Sequence, residues 1–234
     1  MSTSPIASMF DRISPKYDAL NHLLSLNLDE VWRRKAAKAV AKHHPKTILD
    51  LATGTADMAI SLAIHNPQAH ITGTDISEKM LEIGKEKVTN RKLENQIELR
   101  HGDAVMLPFE DNRFDAVAVA FGVRNFEDLD KGLREIHRVL KPNGQVVILE
   151  FSNPERFPVK QVYRLYFKHI LPKIGKWVSK DNNAYSYLPA SVEKFPKPDD
   201  FLQTLSNMGL HNCAKKTLSF GIATLYWGNK TGIL

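Results

Sequence analysis

Short apolar runs along the chain alternate with longer amphipathic stretches. The short runs are rich in β-branched residues, which predicts strands, whereas the longer stretches repeat apolar residues at helical spacing. Strands are predicted at residues 47–51, 70–74, 97–101, 116–121 and 145–151, and helices between them at residues 57–65, 78–87 and 129–140. This alternation predicts an α/β fold in which a mostly parallel sheet carries helices on both faces.

Local signals mark the ends of two of these helices. Ser77 precedes the second helix as a candidate N-cap, and Pro142 with Gly144 is expected to stop the third. Further elements are predicted at both ends of the series: helices at residues 32–41 and 199–208, and strands at residues 214–218 and 222–227. A short turn at residues 219–221 joins the last two strands, so an antiparallel hairpin is expected there.

The composition is that of an ordinary globular protein. A chain of 234 residues with 43% hydrophobic content favours one domain with a sizeable core. The single cysteine, Cys213, excludes an internal disulfide framework and is expected to be a small packing residue. No secretory signal or membrane-spanning apolar run is visible, which favours a cytoplasmic protein. None of the nine histidines stands at metal-ligand spacing, so no metal is expected.

The net charge of +6 is local rather than spread along the chain. Residues 155–180 contain seven basic residues and one acidic residue, and the rest of the chain balances at 25 of each. Large apolar residues recur at largely helical spacing within the same segment, which indicates contact with an anionic membrane surface rather than with nucleic acid. The alternative is a cap helix packed on the core with a solvated charged face.

The residues directly after the predicted strands carry the candidate chemistry, because open parallel sheets bind ligands beyond the carboxyl ends of their strands. The turn of residues 50–57 follows the first strand, and its Gly54 lets the backbone approach a ligand closely. Asp75 follows the second strand, where a carboxylate can accept hydrogen bonds from both hydroxyls of a ribose. The third strand is followed by Asp103 and Ala104, and the fourth by Arg124 and Asn125.

Two cofactors fit this layout, NAD and S-adenosylmethionine. NAD places a pyrophosphate on the helix N-terminus and usually requires three glycines there, whereas this turn has only Gly54 and is followed by the negative charge of Asp57. S-adenosylmethionine carries an ammonium and a sulfonium, which a nearby carboxylate favours. Asp103 is placed to accept from the adenine amine, and the Ala104 amide to donate to the ring. The sequence therefore favours S-adenosylmethionine.

Structural roles are the alternative for several of these residues. Asp75 by itself fits a helix N-cap, and Asp57 fits a carboxylate that stabilises its own helix dipole. Leu107, Phe109 and Phe114 are expected to be packing residues. Only the joint placement of the acidic positions after successive strands favours the cofactor site.

The chain closely resembles the quinone C-methyltransferases of menaquinone and ubiquinone biosynthesis. The resemblance spans nearly the whole chain and is carried by the following segments: DLATGTAD, GTDIS, KMLEIGKEK, GDAVMLPF, FDAVAVAFGVRN, LREIHRVLKPNGQVVILEFSNP, the opening MFDRISPKYDALNHLLSLNLDEVWRR and the later NAYSYLPASVEKFP. FGVRN, YDALN and YSYLPASV are the specific ones, because the other motifs are shared across methyltransferases.

The resemblance implies a class I S-adenosylmethionine-dependent methyltransferase (Rossmann-like) fold, with seven strands and an antiparallel last strand. It implies one domain, residues 1–234, with an N-terminal helical cap at about 1–44 and an inserted lid at about 153–198. Thr55, Asp75, Asp103 and Ala104 match the family's cofactor contacts. Many relatives have glycines at positions 52 and 56, where this chain has alanines, so the path of that turn is open.

The implied reaction is methyl transfer to a ring carbon of a prenylated quinol, with demethylmenaquinol favoured over the ubiquinone-pathway benzoquinol. Arginine is a poor general base, so Arg124 is expected to stabilise the developing oxyanion or order a water, with Asn125 orienting it. Tyr17 is expected either to take part in proton transfer or to pack the N-terminal helix against the cofactor. An inactive quinone-pathway subunit is the alternative from another class, although intact Asp75 and Asp103 argue against it.

Overall fold

A computed structural model describes residues 5–25, 27–155, 157–165 and 182–232 of the chain. Its helices are α1 Pro5–Ser25, α2 Leu28–Ala41, α3 Asp57–His65, α4 Glu78–Asn90, α5 Leu129–Val139, α6 Val159–Leu165, α7 Asn182–Lys194 and α8 Pro198–Asn207. Its strands are β1 Thr47–Leu51, β2 His70–Asp75, β3 Ile97–His101, β4 Phe114–Ala120, β5 Leu140–Phe151, β6 Leu210–Leu218 and β7 Ala223–Lys230. In these ranges no helix is both long and apolar enough to cross a membrane.

Across the described ranges, the strands form one seven-stranded sheet in the order β3-β2-β1-β4-β5-β7-β6. The first five strands pair in parallel, whereas β7 pairs antiparallel with both β5 and β6. The predicted α/β fold and the antiparallel hairpin at the end of the chain are therefore confirmed. The order of parallel strands reverses beside β1, which places the carboxyl ends of β1 and β4 at the switch point where ligands bind.

Alternating residues of the central strands are buried in two separate hydrophobic cores, one on each face of the sheet. Ile48 faces a core formed with α2, α3 and α4, whereas Leu49 faces a core formed with α5 and α8. Neighbouring strand residues point to opposite faces, so a fully buried strand needs apolar residues at both parities. This requirement explains the continuous apolar runs in the sequence, and the predicted packing residues Leu107, Phe109 and Phe114 are buried in the second core.

One of the predicted helix ends is correct and the other is wrong. The Ser77 hydroxyl accepts a hydrogen bond from the Met80 amide at 3.2 Å, as an N-cap does. The third helix, however, ends at Val139, and Pro142 and Gly144 lie within β5. The carbonyls of residues 138 and 139 accept hydrogen bonds from the amides of residues 112 and 113, just before β4, and Leu140 then pairs with Phe114. Strand pairing therefore begins before the proline is reached.

The turn after β1 follows a left-handed path that a glycine usually provides. Ala52, Gly54 and Ala56 have φ values of 57°, 56° and 67°. A left-handed alanine costs about 1–2 kcal/mol. The two alanines therefore keep the turn on this path at an energetic cost rather than diverting it.

We predict that a methyl group added at Gly122 will clash with the turn. A Cβ built on Gly122 would lie 2.5 Å from the Ala52 Cβ, closer than real Cβ contacts come. Gly122→Ala should therefore lower the free energy of unfolding by about 1–3 kcal/mol in urea denaturation. The double variant Ala52→Gly/Gly122→Ala moves the methyl from one side of the contact to the other and should recover most of the loss. A double variant no more stable than Gly122→Ala would show that this contact does not limit the turn.

Candidate active site

A cleft opens at the carboxyl ends of the parallel strands. Its lining comes from α1, the turns after four strands and the start of α4: Ile6, Phe10, Tyr17, Leu51, Ala52, Gly54, Asp75, Ile76, Met80, Gly102, Asp103, Ala104, Ala120, Phe121, Gly122, Asn125, Phe126 and Glu127. The fold therefore brings Tyr17, Gly54, Asp75, Asp103, Ala104 and Asn125, six of the nine predicted site residues, into one cavity.

The Asp75 carboxylate joins two of the turns that form the cleft. Its Oδ2 accepts from the Gly54 amide at 2.8 Å, and its Oδ1 accepts from the Ser77 amide at 2.9 Å. Burial raises the pKa of Asp75, and these backbone hydrogen bonds oppose the rise. A carboxylate has about four lone-pair directions, so each oxygen keeps capacity for a ribose hydroxyl while it holds its turn in place.

Below Asp75, Asp50 is fully buried at the end of β1. The Thr53 hydroxyl donates to its Oδ2 at 2.5 Å. Burial raises the pKa of this carboxyl to about 7, and the nearby charge of Asp75 adds to the rise. The folded-state pKa of Asp50 lies above the ordinary value of 3.8. The stability that Asp50 contributes is therefore greatest below about pH 3.8 and is lost as the pH rises through about 7.

The remaining lining fits the adenosyl part of S-adenosylmethionine. Asp103 and Ala104 lie across the cleft from the turn after β1, and the Asp103 Oδ1 accepts from the Val105 amide at 3.0 Å. A Cβ built on Gly54 would approach only the Tyr17 ring, at 4.0 Å, so the missing side chain leaves a cradle open to a ligand. Among the described residues no His, Cys, Asp or Glu side chains are grouped to hold a metal ion.

The structure places two predicted cofactor residues, Thr55 and Asp57, behind the turn rather than in the cleft lining. The Asp57 carboxylate pairs with Lys87 of α4, and Lys87 also donates to the Thr55 hydroxyl at 3.2 Å. The Thr55 hydroxyl in turn donates to Asp18 at 2.6 Å. These side chains fix the turn and its helix from below, and direct contact of Thr55 or Asp57 with the cofactor remains a prediction.

Helix α1 lies over the cleft and is held there by two carboxylates on one of its faces. Asp18 pairs with Lys87 at 3.0 Å, and Asp11, two turns earlier, accepts from the Ser77 hydroxyl at 2.5 Å. Tyr17 reaches the cleft from this helix and meets Phe10 edge to face at 6.0 Å between ring centroids. Burial raises the pKa of Tyr17, although the charge of Arg124 opposes the rise, so its phenol stays protonated at neutral pH.

Arg124 and Asn125 occupy a short 3-10 turn after β4, and their side chains lie in different places. Asn125 lines the cleft, and its Oδ1 accepts from the Tyr187 hydroxyl at 2.9 Å. Arg124 is buried outside the cleft lining, where it donates to Glu150 at 2.8 Å and to Ser191 at 3.3 Å. Its guanidinium also lies over the Phe151 ring. Its positive charge acts on Tyr17 in the cleft from behind, and its predicted role in stabilising the oxyanion or ordering a water stays a prediction.

Sequence reasoning missed the partners of these residues. Glu150 and Tyr187 hold Arg124 and Asn125, while Asp18 and Lys87 hold α1 and the turn. All four stand in segments that the family resemblance marked as specific or matching. The signal was therefore present, but which charges pair across 26 to 69 residues of chain cannot be deduced from spacing alone.

The sheet and the cleft at its switch point are those of a class I S-adenosylmethionine-dependent methyltransferase, with S-adenosylmethionine as the methyl donor. The model of the ubiE/COQ5 methyltransferase family matches residues 1–230. The chain belongs to that family, as the motifs predicted.

Curated relatives and a solved structure agree with this assignment. A demethylmenaquinone methyltransferase of Bacteroides fragilis is 50% identical over 226 residues, which cover 96% of this chain and 92% of that protein. A ubiquinone/menaquinone biosynthesis C-methyltransferase UbiE of Geotalea daltonii is 45% identical and covers 96% of each chain. The structure of the [4+2]-cyclase SpnF is 17% identical, with a TM-score of 0.72 over 100% of this chain and 98% of that one. This last likeness concerns the fold alone, since one fold hosts different reactions.

Asp75→Ala should weaken S-adenosylmethionine binding at least tenfold. The change removes charge-assisted hydrogen bonds to the ribose, worth about 1.5–3 kcal/mol, and releases the Gly54 and Ser77 amides. Calorimetric titration of the cofactor measures the effect, with urea denaturation of each variant as the check on folding. A dissociation constant equal to that of the parent would contradict the assignment of Asp75.

Arg124→Ala should destabilise the fold rather than only slow turnover. The Arg124 side chain is 6% exposed and that of Glu150 is fully buried, so the change leaves an uncompensated carboxylate in the core. We expect a loss of about 3–5 kcal/mol in the free energy of unfolding. Arg124→Ala/Glu150→Gln removes the stranded charge and should recover part of that loss. Equal stability of Arg124→Ala and the parent would show that the pair is not a structural requirement.

Proposed function

We propose that this protein transfers a methyl group from S-adenosylmethionine to a ring carbon of demethylmenaquinol. The observation that carries the proposal is the position of Asn125 and Tyr17, which line the same cleft as Asp75 and Asp103. Asp75 and Asp103 suit the cleft to the cofactor, and Asn125 and Tyr17 add polar groups that can contact the acceptor. The relatives from Bacteroides fragilis and Porphyromonas gingivalis, 50% and 42% identical, are named demethylmenaquinone methyltransferases, which supports this choice of acceptor.

A quinol carbon becomes a good nucleophile when the neighbouring hydroxyl loses its proton. Asp75 and Asp103 would hold S-adenosylmethionine, which would supply an electrophilic methyl group on sulfur. The ring carbon would form the new C–C bond as the C–S bond breaks, S-adenosylhomocysteine would leave, and the ring proton would be released to solvent. Asn125 supplies an amide to the ring oxygen as its charge develops, and Arg124 contributes positive potential from behind. Tyr17, which stays protonated, closes the cleft from α1 and excludes water.

The proposed acceptor can be tested in cells. Quinones extracted from a strain that lacks this protein should contain demethylmenaquinone in place of menaquinone when analysed by mass spectrometry, and a plasmid copy of the parent should restore menaquinone. Accumulation of an unmethylated benzoquinone would identify the ubiquinone-pathway substrate instead. An unchanged quinone profile would contradict a role in this pathway.

We also propose that the basic segment, residues 155–180, rests on an anionic leaflet and admits the prenylated quinol. Arg156 and residues 166–181 lie outside the described residues, so the support comes from the charge of the segment and from its described start. Phe157 is 81% exposed and Leu165 is 61% exposed. Lys160 is also exposed, so apolar and basic side chains occur together on this surface. Each basic residue near such a leaflet contributes about 1 kcal/mol.

Replacing Lys160, Arg164 and Lys168 by glutamine should reduce sedimentation with anionic liposomes and slow turnover of a long-tailed quinol in vesicles. Turnover of a short-tailed, water-soluble analogue should be spared. The matched control replaces Lys79, Lys85 and Lys92, exposed residues in and just after α4 near the opposite edge of the sheet, and removes the same charge. Equal vesicle binding by the two triple variants, or equal loss of both substrates in the first, would contradict membrane access through this segment.

A further inference from the structure

Helix α7 contacts both residues of the Arg124–Asn125 pair. Tyr187 donates to the Asn125 Oδ1 at 2.9 Å, and the Ser191 hydroxyl accepts from the Arg124 Nε at 3.3 Å. Tyr187 and Ser191 stand four residues apart, so they lie one above the other on the same face of the helix. Neither belongs to the lining of the cleft. The helix therefore acts on the cleft through the two residues that it holds.

The hydrogen bond from Tyr187 fixes which end of the Asn125 amide faces the acceptor. A side-chain amide has an accepting oxygen and a donating NH₂ group, and the two exchange places when the amide turns over. Because the Oδ1 is occupied by the Tyr187 hydroxyl, the NH₂ group of Asn125 is the end left for a ligand. Burial raises the pKa of Tyr187, so its hydroxyl keeps the proton that it donates.

We propose that Tyr187 is a positioning residue that makes Asn125 a hydrogen-bond donor to the ring oxygen of the acceptor, so that the site selects the ionised form of the quinol. This inference rests on the proposed function, because it concerns the acceptor end of the same cleft. A donor at this place stabilises a phenolate and disfavours a protonated hydroxyl that must itself donate. The class of acceptor that fits is one with an ionisable oxygen beside the carbon to be methylated.

The test compares the pH dependence of turnover in Tyr187→Phe and the parent, with whichever short-tailed, chemically reduced quinol the parent methylates. Loss of the hydroxyl lets the Asn125 amide turn over, so kcat at neutral pH should fall about tenfold. The apparent pKa on the rising limb of the kcat profile should move up by about one unit, since the bound phenolate loses its fixed donor. The two rates should converge at high pH, and cofactor affinity should stay unchanged.

Other titrating groups face the same cleft. Tyr17 comes from α1, Asp75 and Asp103 from the turns after β2 and β3, and Glu127 from the loop before α5, while Arg124 and Glu150 lie behind. All of them are present in both proteins, so the difference between the two profiles reports the acceptor oxygen. Tyr226→Phe, a buried tyrosine of β7 outside the cleft lining, is the matched control and should leave the profile unchanged.

Two further variants test the inference without relying on Tyr187→Phe alone. Asn125→Asp keeps an acceptor for the Tyr187 hydroxyl but removes the NH₂ donor, and it should raise the same apparent pKa by more than one unit. In an Asn125→Ala background, adding Tyr187→Phe should change kcat less than twofold, because the residue through which it acts is gone.

A Tyr187→Phe effect of the same size at every pH and in the Asn125→Ala background would overturn the inference, as would an unchanged profile in Asn125→Asp. Methyl transfer by the parent protein is measured in a separate assay, and that assay tests the proposed function. Failure of Tyr187 as a positioning residue is therefore distinguishable from failure of the proposed reaction.

Discussion

The Asp75 carboxylate is the constraint on which the rest of the site depends. It binds the Gly54 amide on one side and the Ser77 amide on the other, so the turns after β1 and β2 keep a fixed separation. A buried carboxylate needs such partners, because removal of its charge from water is otherwise costly. The same hydrogen bonds that compensate for its burial leave its remaining lone pairs aimed at the cleft. The Asp75 side chain therefore both holds the two turns together and recognises the cofactor.

Ion pairs behind the lining of the cleft hold the elements that shape it. Lys87 joins α4 to Asp57 below the turn and to Asp18 of α1 above it, so the helix that carries Tyr17 is tied to the cofactor turn. On the acceptor side, Arg124 pairs with Glu150 and holds the 3-10 turn that presents Asn125. Each ion pair costs desolvation that its hydrogen bonds must offset, so these pairs define geometry more than they add stability.

The sequence alone predicted most of the sheet because its central strands are buried on both faces and are therefore apolar at most positions. Residues 47–51, 97–101 and 57–65 form the elements that their patterns predicted, and the Ser77 cap was identified from its position. Acidic residues after consecutive parallel strands were correctly expected to converge, since the carboxyl ends of such strands share one edge. The end of α5 lies one residue before its predicted position, but Pro142 does not cause it, because pairing with β4, a tertiary contact, starts β5 at Leu140.

The side-chain pairs were not predictable in the same way. Asp57 was expected at the cofactor from its place in the turn. Its pairing with Lys87, 30 residues later, depends on the folded chain and was not predicted, while contact of Asp57 with the cofactor stays a prediction. Arg124 was expected to stabilise the oxyanion or order a water from its place after β4, and its pairing with Glu150 on the adjacent strand was not predicted. The position of the cofactor site could be predicted from the order of the strands. The different positions of the Arg124 and Asn125 side chains could be seen only in the structure.

Methyl transfer with an isotopically labelled donor tests the central claim most directly. The purified protein would be incubated with demethylmenaquinol and S-adenosylmethionine whose transferable methyl carries three deuterium atoms, and the product would be analysed by mass spectrometry and NMR. The account predicts one CD₃ group on the ring carbon beside a hydroxyl-bearing carbon, with loss of the ring proton there. A label on oxygen, or no labelled quinone under conditions where the cofactor is bound, would contradict it.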